Sequence, residues 1–420
     1  MRVLISAIAC HPHLGSESKV GWDAALAISD IPAVTACHVM THSVNREAIV
    51  KEQTSGHAPR VRFHFFGEPF RYHPNRMLAR LQSWLIYWDW QRLAVARATE
   101  LHRRYAYSLT HHVTYASWRV PPRLWQMPLP FVFGPVGGGA KTTKAFRPML
   151  GHSARAFEFL RDATTVLSTR FSGLEECCRR ATAVLAADSS TAVFLAQHGA
   201  KDVRQLCQVF FREAESSRLE VLQSRHLAAH DALRIFAGGN LEGRKGTLLA
   251  LHALALLKKK GVPFSYTYGT WGPDLNAMTK LAHHLGIANQ VTFHEGFKGE
   301  DYRRQLAHSN VYLLPSIRET AGITMMEAML AGCYPIVLAG TGAGDIVESA
   351  GVQTICATTI NDAVEKIAEL LEWCHNHREE MLNSAQVAGS KIRGIYSEQA
   401  YQKSISEVYT AATESPARHL

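Results

Sequence analysis

Two glutamates, Glu319 and Glu327, stand eight residues apart in the stretch from Ser316 to Gly332, with a Gly-containing helix start between them. A helix N-terminus presents unpaired N–H groups and about half a positive charge, so it draws phosphate. Carboxylates flanking such an anion site can only accept hydrogen bonds, which suits the hydroxyls of a sugar and a ribose. The spacing therefore predicts a nucleotide-sugar site. Glutamates near helix starts are also common caps, and one inside a helix commonly sits on a solvated face. Glu327, however, is bracketed by Ile323, Met326, Met329 and Leu330, and a carboxylate in so apolar a segment needs partners.

A second constellation runs from Gly238 to Gly246 and holds Asn240, Arg244 and Lys245. A Gly-rich turn with two adjacent cations, following a strand and preceding a helix, suits a diphosphate. It is not a P-loop, because Arg244 and Lys245 occupy the Lys and Ser/Thr positions of that pattern. Gly15, in the turn Leu14 to Trp22, would let a phosphate or sugar approach the backbone, although Ser16 and Ser18 also read as ordinary caps. His111 and His112 close a strand at its carboxyl end and could donate to a sugar hydroxyl near a reacting centre. Gly137 and Gly138, in the loop after the next strand, form a candidate acceptor loop or simply a flexible one. The chain holds no Asp-x-Asp pair, the usual means of binding a nucleotide sugar through a divalent metal. Neither metal nor cofactor is expected, and Arg244, Lys245 and helix N-termini would neutralise a diphosphate.

Short apolar strands alternate with helical stretches, the pattern of α/β domains with parallel sheets. In the first half the strands are expected at Val3–Ala9, Ala36–Thr41, Val61–Phe66, Ser108–His112, Pro130–Phe133 and Ala183–Ala187. A polar stretch, Arg212 to Asp231, precedes a restart at Ala232–Ala237, with further strands at Phe264–Tyr268, Val291–Phe293, Val311–Leu314 and Tyr334–Leu338. Two Rossmann-like domains follow: 1–205, completed by about 396–420, and 206–395. The ligand is expected in a cleft between them, outside the carboxyl ends of the strands.

A length of 420 residues favours two cores over one, and 47% hydrophobic with 19% charged residues excludes a disordered chain. No apolar run reaches the roughly 18 residues of a membrane span. The net charge of +9 favours acidic partners, but no nucleic-acid module accompanies it. Eight scattered cysteines without metal or redox spacing read as free thiols of a cytoplasmic protein. The apolar Met1 to Cys10 reads as a buried first strand rather than a lipoprotein signal. The helix Met77–Arg103 interleaves Trp84, Leu85, Trp88 and Trp90 with arginines, which suits either core packing or peripheral contact with an anionic membrane.

Glu319-x7-Glu327, Ala328 and the strand from Gly332 to Val337 together resemble the family 4 glycosyltransferases of the GT-B fold, and the likeness extends over most of the chain. Gly239 to Gly246 falls at that family's phosphate loop. The segments 15–22, 110–122 and 134–139 are similar to a bacterial subgroup from exopolysaccharide and O-antigen clusters. The resemblance implies two domains with a cleft, and a final helix from about Tyr396 crossing back to the first. It implies a retaining, metal-independent transferase that uses a nucleoside-diphosphate sugar and a glycan or polyprenyl-diphosphate-linked acceptor, at the inner face of the membrane. Glu319 would bind the donor sugar, Glu327 the ribose, and Lys245 the diphosphate. Gly322, Ile323 and Thr324 would contribute backbone N–H groups, Phe297 and Lys298 would line the base, and His111 or His112 would lie near the anomeric carbon. Asn240 departs from the family, which has Arg there; Arg244 could substitute, though from a shifted position. A nucleotide-sugar epimerase of the same fold and a catalytically silent sugar-nucleotide binder are the alternatives.

Overall fold

The computed structural model describes the chain except residues 16, 69, 71–73, 75, 143, 222–231, 271, 298 and 415–420, and except the side chains of 76, 77, 80, 81, 144, 152–154, 156 and 157. Lys298, Ser16 and the latter part of the polar Arg212–Asp231 stretch therefore lie outside the described residues.

Two compact units emerge. The first comprises Met1–Gly139, Ala163–Gln208 and Glu398–Leu420. Its parallel sheet contains β1 (Arg2–Ala7), β2 (Ala36–His42), β3 (Val61–Phe66), β4 (Leu109–Thr114), β5 (Phe131–Val136), β6 (Ala183–Ala186) and β7 (Val203–Gln205), in the order β3-β2-β1-β4-β5-β6-β7. Six of these strands lie where apolar runs predict them. The three-residue edge strand β7 is too short and too polar to show a pattern. Central strands of a sheet covered on both faces are buried throughout, as β4 and β5 are here. The helix Glu398–Glu414 completes this unit by burying Tyr401, Ile405, Val408, Tyr409 and Ala412 along one stripe.

The second unit comprises Ala140–Asp162 and Val209–Ser397. Its parallel sheet contains β8 (Leu233–Ala237), β9 (Phe264–Tyr268), β10 (Val291–Phe293), β11 (Val311–Leu314) and β12 (Tyr334–Val337), in the order β10-β9-β8-β11-β12. Strand order reverses between β1 and β4 in the first sheet and between β8 and β11 in the second. At such a switch point the two following loops run off in opposite directions and leave a crevice at the carboxyl edge. In the second unit those loops are the two constellations singled out above.

Candidate donor-binding site

The turn after β8 and the loop after β11 are pressed together. Gly246 adopts a left-handed φ of +72°, and a Cβ there would lie 1.9 Å from the carbonyl oxygen of Pro315. No other residue permits both the conformation and the approach. The Ile317 N–H donates to the Arg244 carbonyl at 2.9 Å, a backbone link between the two segments. Gly322, at φ +78°, then turns the chain into the helix Ile323–Leu330. That helix has no side-chain cap at its N-terminus, and helix starts leave their first N–H groups without intrahelical partners.

Across this junction Lys245 places its ammonium on the Glu319 carboxylate, and Arg244 approaches the same oxygen at 3.4 Å. Both Lys245 and Glu319 are almost fully buried, with side chains 9% and 12% exposed. Burial alone would raise the Glu319 carboxyl, but the Lys245 and Arg244 charges and the Thr320 N–H outweigh it and hold the group below its ordinary range. Glu319 is thus an ionised acceptor at neutral pH. Arg244 also pairs with Glu242 at 2.7 Å and donates to the Arg318 carbonyl at 3.3 Å. Asn240 is exposed on the same turn.

Glu327 sits on the partly buried side of the helix Ile323–Leu330, whose Met325, Met326, Ala328 and Met329 are buried. It accepts a hydrogen bond from the Tyr302 hydroxyl at 2.7 Å. Thr324 meets the hydroxyl of Tyr312 at 2.6 Å, and the same hydroxyl accepts from the Gly238 N–H at 3.1 Å. Tyr312 therefore ties the helix start to the glycine turn. Phe297 stacks on His294 with ring centroids 3.9 Å apart and meets Phe236 edge-on.

Tyr302 and Tyr312 are residues that sequence reasoning missed. A signal existed for Tyr312: a tyrosine within an apolar strand must find a partner for its hydroxyl.

The remaining candidates belong to the first unit. His111 and His112 do not reach an open position there; both rings are wholly buried in β4. His111 Nε2 donates to the Gly134 carbonyl at 2.6 Å, and its Nδ1 lies 2.7 Å from the Tyr409 hydroxyl. His112 Nδ1 meets the Ser6 hydroxyl at 3.0 Å, and its Nε2 lies 3.2 Å from the Tyr87 hydroxyl and 3.3 Å from the Tyr115 carbonyl. Burial pushes their pKa values down to about 4 and about 3, so both are neutral. Every ring nitrogen of the two histidines thus has a protein partner, where the sequence reading expects a ring facing the cleft. Gly15 is exposed with open space beside it, Gly137 donates to the Ala116 carbonyl at 3.1 Å, and Gly138 adopts a φ of +95° beside Arg119. Among the described residues no group of three or more His, Cys, Asp or Glu side chains is placed to hold a metal ion.

Residues 220–387 match the family model described as "Glycosyl transferases group 1". The chain is 32% identical over 128 residues to the amylovoran biosynthesis glycosyltransferase AmsK of Erwinia amylovora, covering 29% of this chain and 31% of that one. It is 25% identical over 183 residues to a putative colanic acid biosynthesis glycosyltransferase, WcaL, of Salmonella typhimurium, covering 42% of this chain and 44% of that one. The chain thus matches less than half the length of either relative. Among solved structures, HepE of Anabaena in complex with UDP superposes with a TM-score of 0.61 at 14% identity, over 98% of this chain and 100% of that one. The chain therefore has the GT-B fold, and its second unit carries a glycosyl transferases group 1 domain.

Proposed function

We propose that this chain is a retaining, metal-independent glycosyltransferase of family 4, acting in the synthesis of a bacterial surface polysaccharide. It would move a sugar from a nucleoside-diphosphate donor to a glycan or polyprenyl-diphosphate-linked acceptor. The observation that carries this reading is the buried Lys245–Glu319 pair at the switch point of the second sheet. Each partner would exchange the other for a ligand group: the diphosphate on Lys245, the sugar hydroxyls on Glu319.

Glu327 would accept from the ribose diol, steadied by Tyr302, and Phe297 would line the base. The N–H groups of Gly322, Ile323 and Thr324 would meet the charge that grows on the departing diphosphate, with Arg244 beside them. The bond from the anomeric carbon to the diphosphate breaks and the acceptor oxygen bonds on the same face. The acceptor proton passes to the leaving phosphate. The charge on the diphosphate is balanced by side chains and a helix start, which is the basis for metal independence. HepE was solved with UDP, which makes a uridine donor the first to test.

Peripheral contact with an anionic membrane is supported by the helix Arg76–Tyr105. It buries Tyr87, Trp90, Ala94 and Ala98 while Trp84, Leu85 and Trp88 remain exposed. Among the described residues no helix is long and apolar enough to cross a membrane.

Thermal-shift screening against UDP-, GDP- and ADP-sugars tests the donor site. Ligand at 100 times its Kd stabilises by about 2.7 kcal/mol, a shift easily seen. One class should raise the melting temperature, and Glu319→Gln should lose the part due to the sugar. No shift with any of the three would overturn the reading.

A further inference from the structure

Residues 140–162, which follow β5 and precede β6 in the chain, belong to the second unit, and the family model does not reach them. Among their described side chains the most buried charge is Glu158, only 4% exposed. One carboxylate oxygen receives Arg318 at 2.8 Å. The other accepts from the Thr142 hydroxyl at 3.1 Å and faces Arg161 at 3.7 Å. Arg161 in turn donates to the Ala140 carbonyl at 2.7 Å. Arg318 directly precedes Glu319, and its own carbonyl is the one that Arg244 grips. The same segment also touches the glycine turn: a Cβ on Gly243 would lie 3.1 Å from a methyl of Leu150. The segment thus packs against both loops of the candidate donor site.

We propose that Glu158 is a positioning residue for donor-sugar recognition. By fixing Arg318 it sets the backbone from which Glu319 projects, so that residues 140–162 brace the donor loops.

The chemistry favours this over a plain surface ion pair. Arg318 is 16% exposed on its side chain, and burial followed by repulsion from Arg161 and Arg244 brings its guanidinium down to about 10, against the pull of Glu158. A desolvated cation of this kind is held in one place only if its counter-ion stays. Without Glu158, Arg318 and Arg161 would repel each other beside Lys245 and Arg244. The cheapest relief is for Arg318 to swing outward, and the adjoining Glu319 would move with it.

The inference rests on the donor reading above, and its test separates the two. Dissociation constants for UDP and for UDP-glucose are measured on wild type, Glu158→Gln, Glu158→Ala and Arg318→Gln, together with melting temperatures. UDP lacks the sugar that Glu319 would hold. A positioning role therefore weakens UDP-glucose by about tenfold while UDP changes less than about twofold. Glu158→Gln, which keeps the hydrogen bond to Thr142, should recover part of the loss suffered by Glu158→Ala. A purely structural role would lower the melting temperature and weaken both ligands alike. An unchanged ratio of the two constants in folded Glu158→Gln and Arg318→Gln overturns the proposal, and these milder variants serve if Glu158→Ala does not fold. Wild type that binds neither UDP nor UDP-glucose overturns the donor reading for a uridine sugar and this inference with it.

Discussion

The two switch points of this molecule have the same topology and differ in how their buried polar side chains are paired. Inside β4, beside β1, the buried polar groups are His111 and His112, neutral rings whose four nitrogens all have protein partners, and past its end the Glu17 carboxylate accepts from the Ala116 N–H. At the carboxyl edge of β8 and β11, the polar groups are charged, and Lys245 and Glu319 hold one another across the junction. A neutral, fully bonded pair rigidifies a core and has nothing left to give a ligand. A charged pair between two loops can be exchanged for ligand groups carrying the same charges. Topology creates a crevice at each switch point, and the proposed donor site is the one where oppositely charged side chains meet.

The largest effect should come from breaking the charged pair. Lys245→Ala leaves the Glu319 carboxylate buried without its main counter-ion, at a cost of about 3–5 kcal/mol in stability. It should also lower turnover with the best donor by at least about a hundredfold, the scale of losing one electrostatic stabiliser. Denaturant melts and steady-state rates check both. Replacing Lys245 and Glu319 together with Met and Leu should recover stability but not turnover. Turnover retained in that double variant would mean that the junction is structural.

The histidines should behave in the reverse manner. His111→Ala removes partners from Tyr409 and Gly134 and should cost about 2–4 kcal/mol, leaving the turnover of the folded fraction unchanged. Acidification sharpens the contrast. A histidine held near 4 when folded and near 6.5 when unfolded lets the unfolded chain bind a proton that the native state refuses. Stability therefore falls as pH drops from about 6.5 towards 4, and His111→Gln should flatten that slope by about one proton. Glu319 works in a lower window. Its folded pKa lies below the unfolded value, so its contribution is present above the ordinary carboxylate range and is lost as pH falls through the folded value. Urea melts from pH 7 to pH 3 should show the two losses in that order.

The smallest effect concerns Asn240. Its exposed place on the turn puts an added cation at the rim, not in the buried pair. Asn240→Arg should tighten UDP by only about threefold, in keeping with screened surface charge, and titration calorimetry would read it.

Much of this was legible in the chain itself. The positions of eleven strands, the glycine turn from Gly238 to Gly246, and the paired glutamates at a helix start all follow from local periodicity and residue chemistry. Strand β7 was not legible, nor was the packing of 140–162 with the second unit. The helices Ile360–Asn376 and Arg378–Ile395 also went unread, although the former buries a regular stripe of Ala363, Val364, Ile367 and Leu371. The histidines show the limit well. Their strand could be read, but not that it runs on past them to Thr114, nor the Tyr409 hydroxyl waiting 298 residues away.

What the sequence alone determined is the inventory: which turns can approach a phosphate, and which carboxylates flank a helix start. Only the tertiary structure decided the pairings. Strand order sets β8 beside β11, which carries Lys245 to Glu319 over 74 residues of chain, and the packing of 140–162 in the same unit brings Glu158 to Arg318. Periodicity reports which face of an element is buried but not which element lies against it, and a buried charge acquires its meaning only from that neighbour.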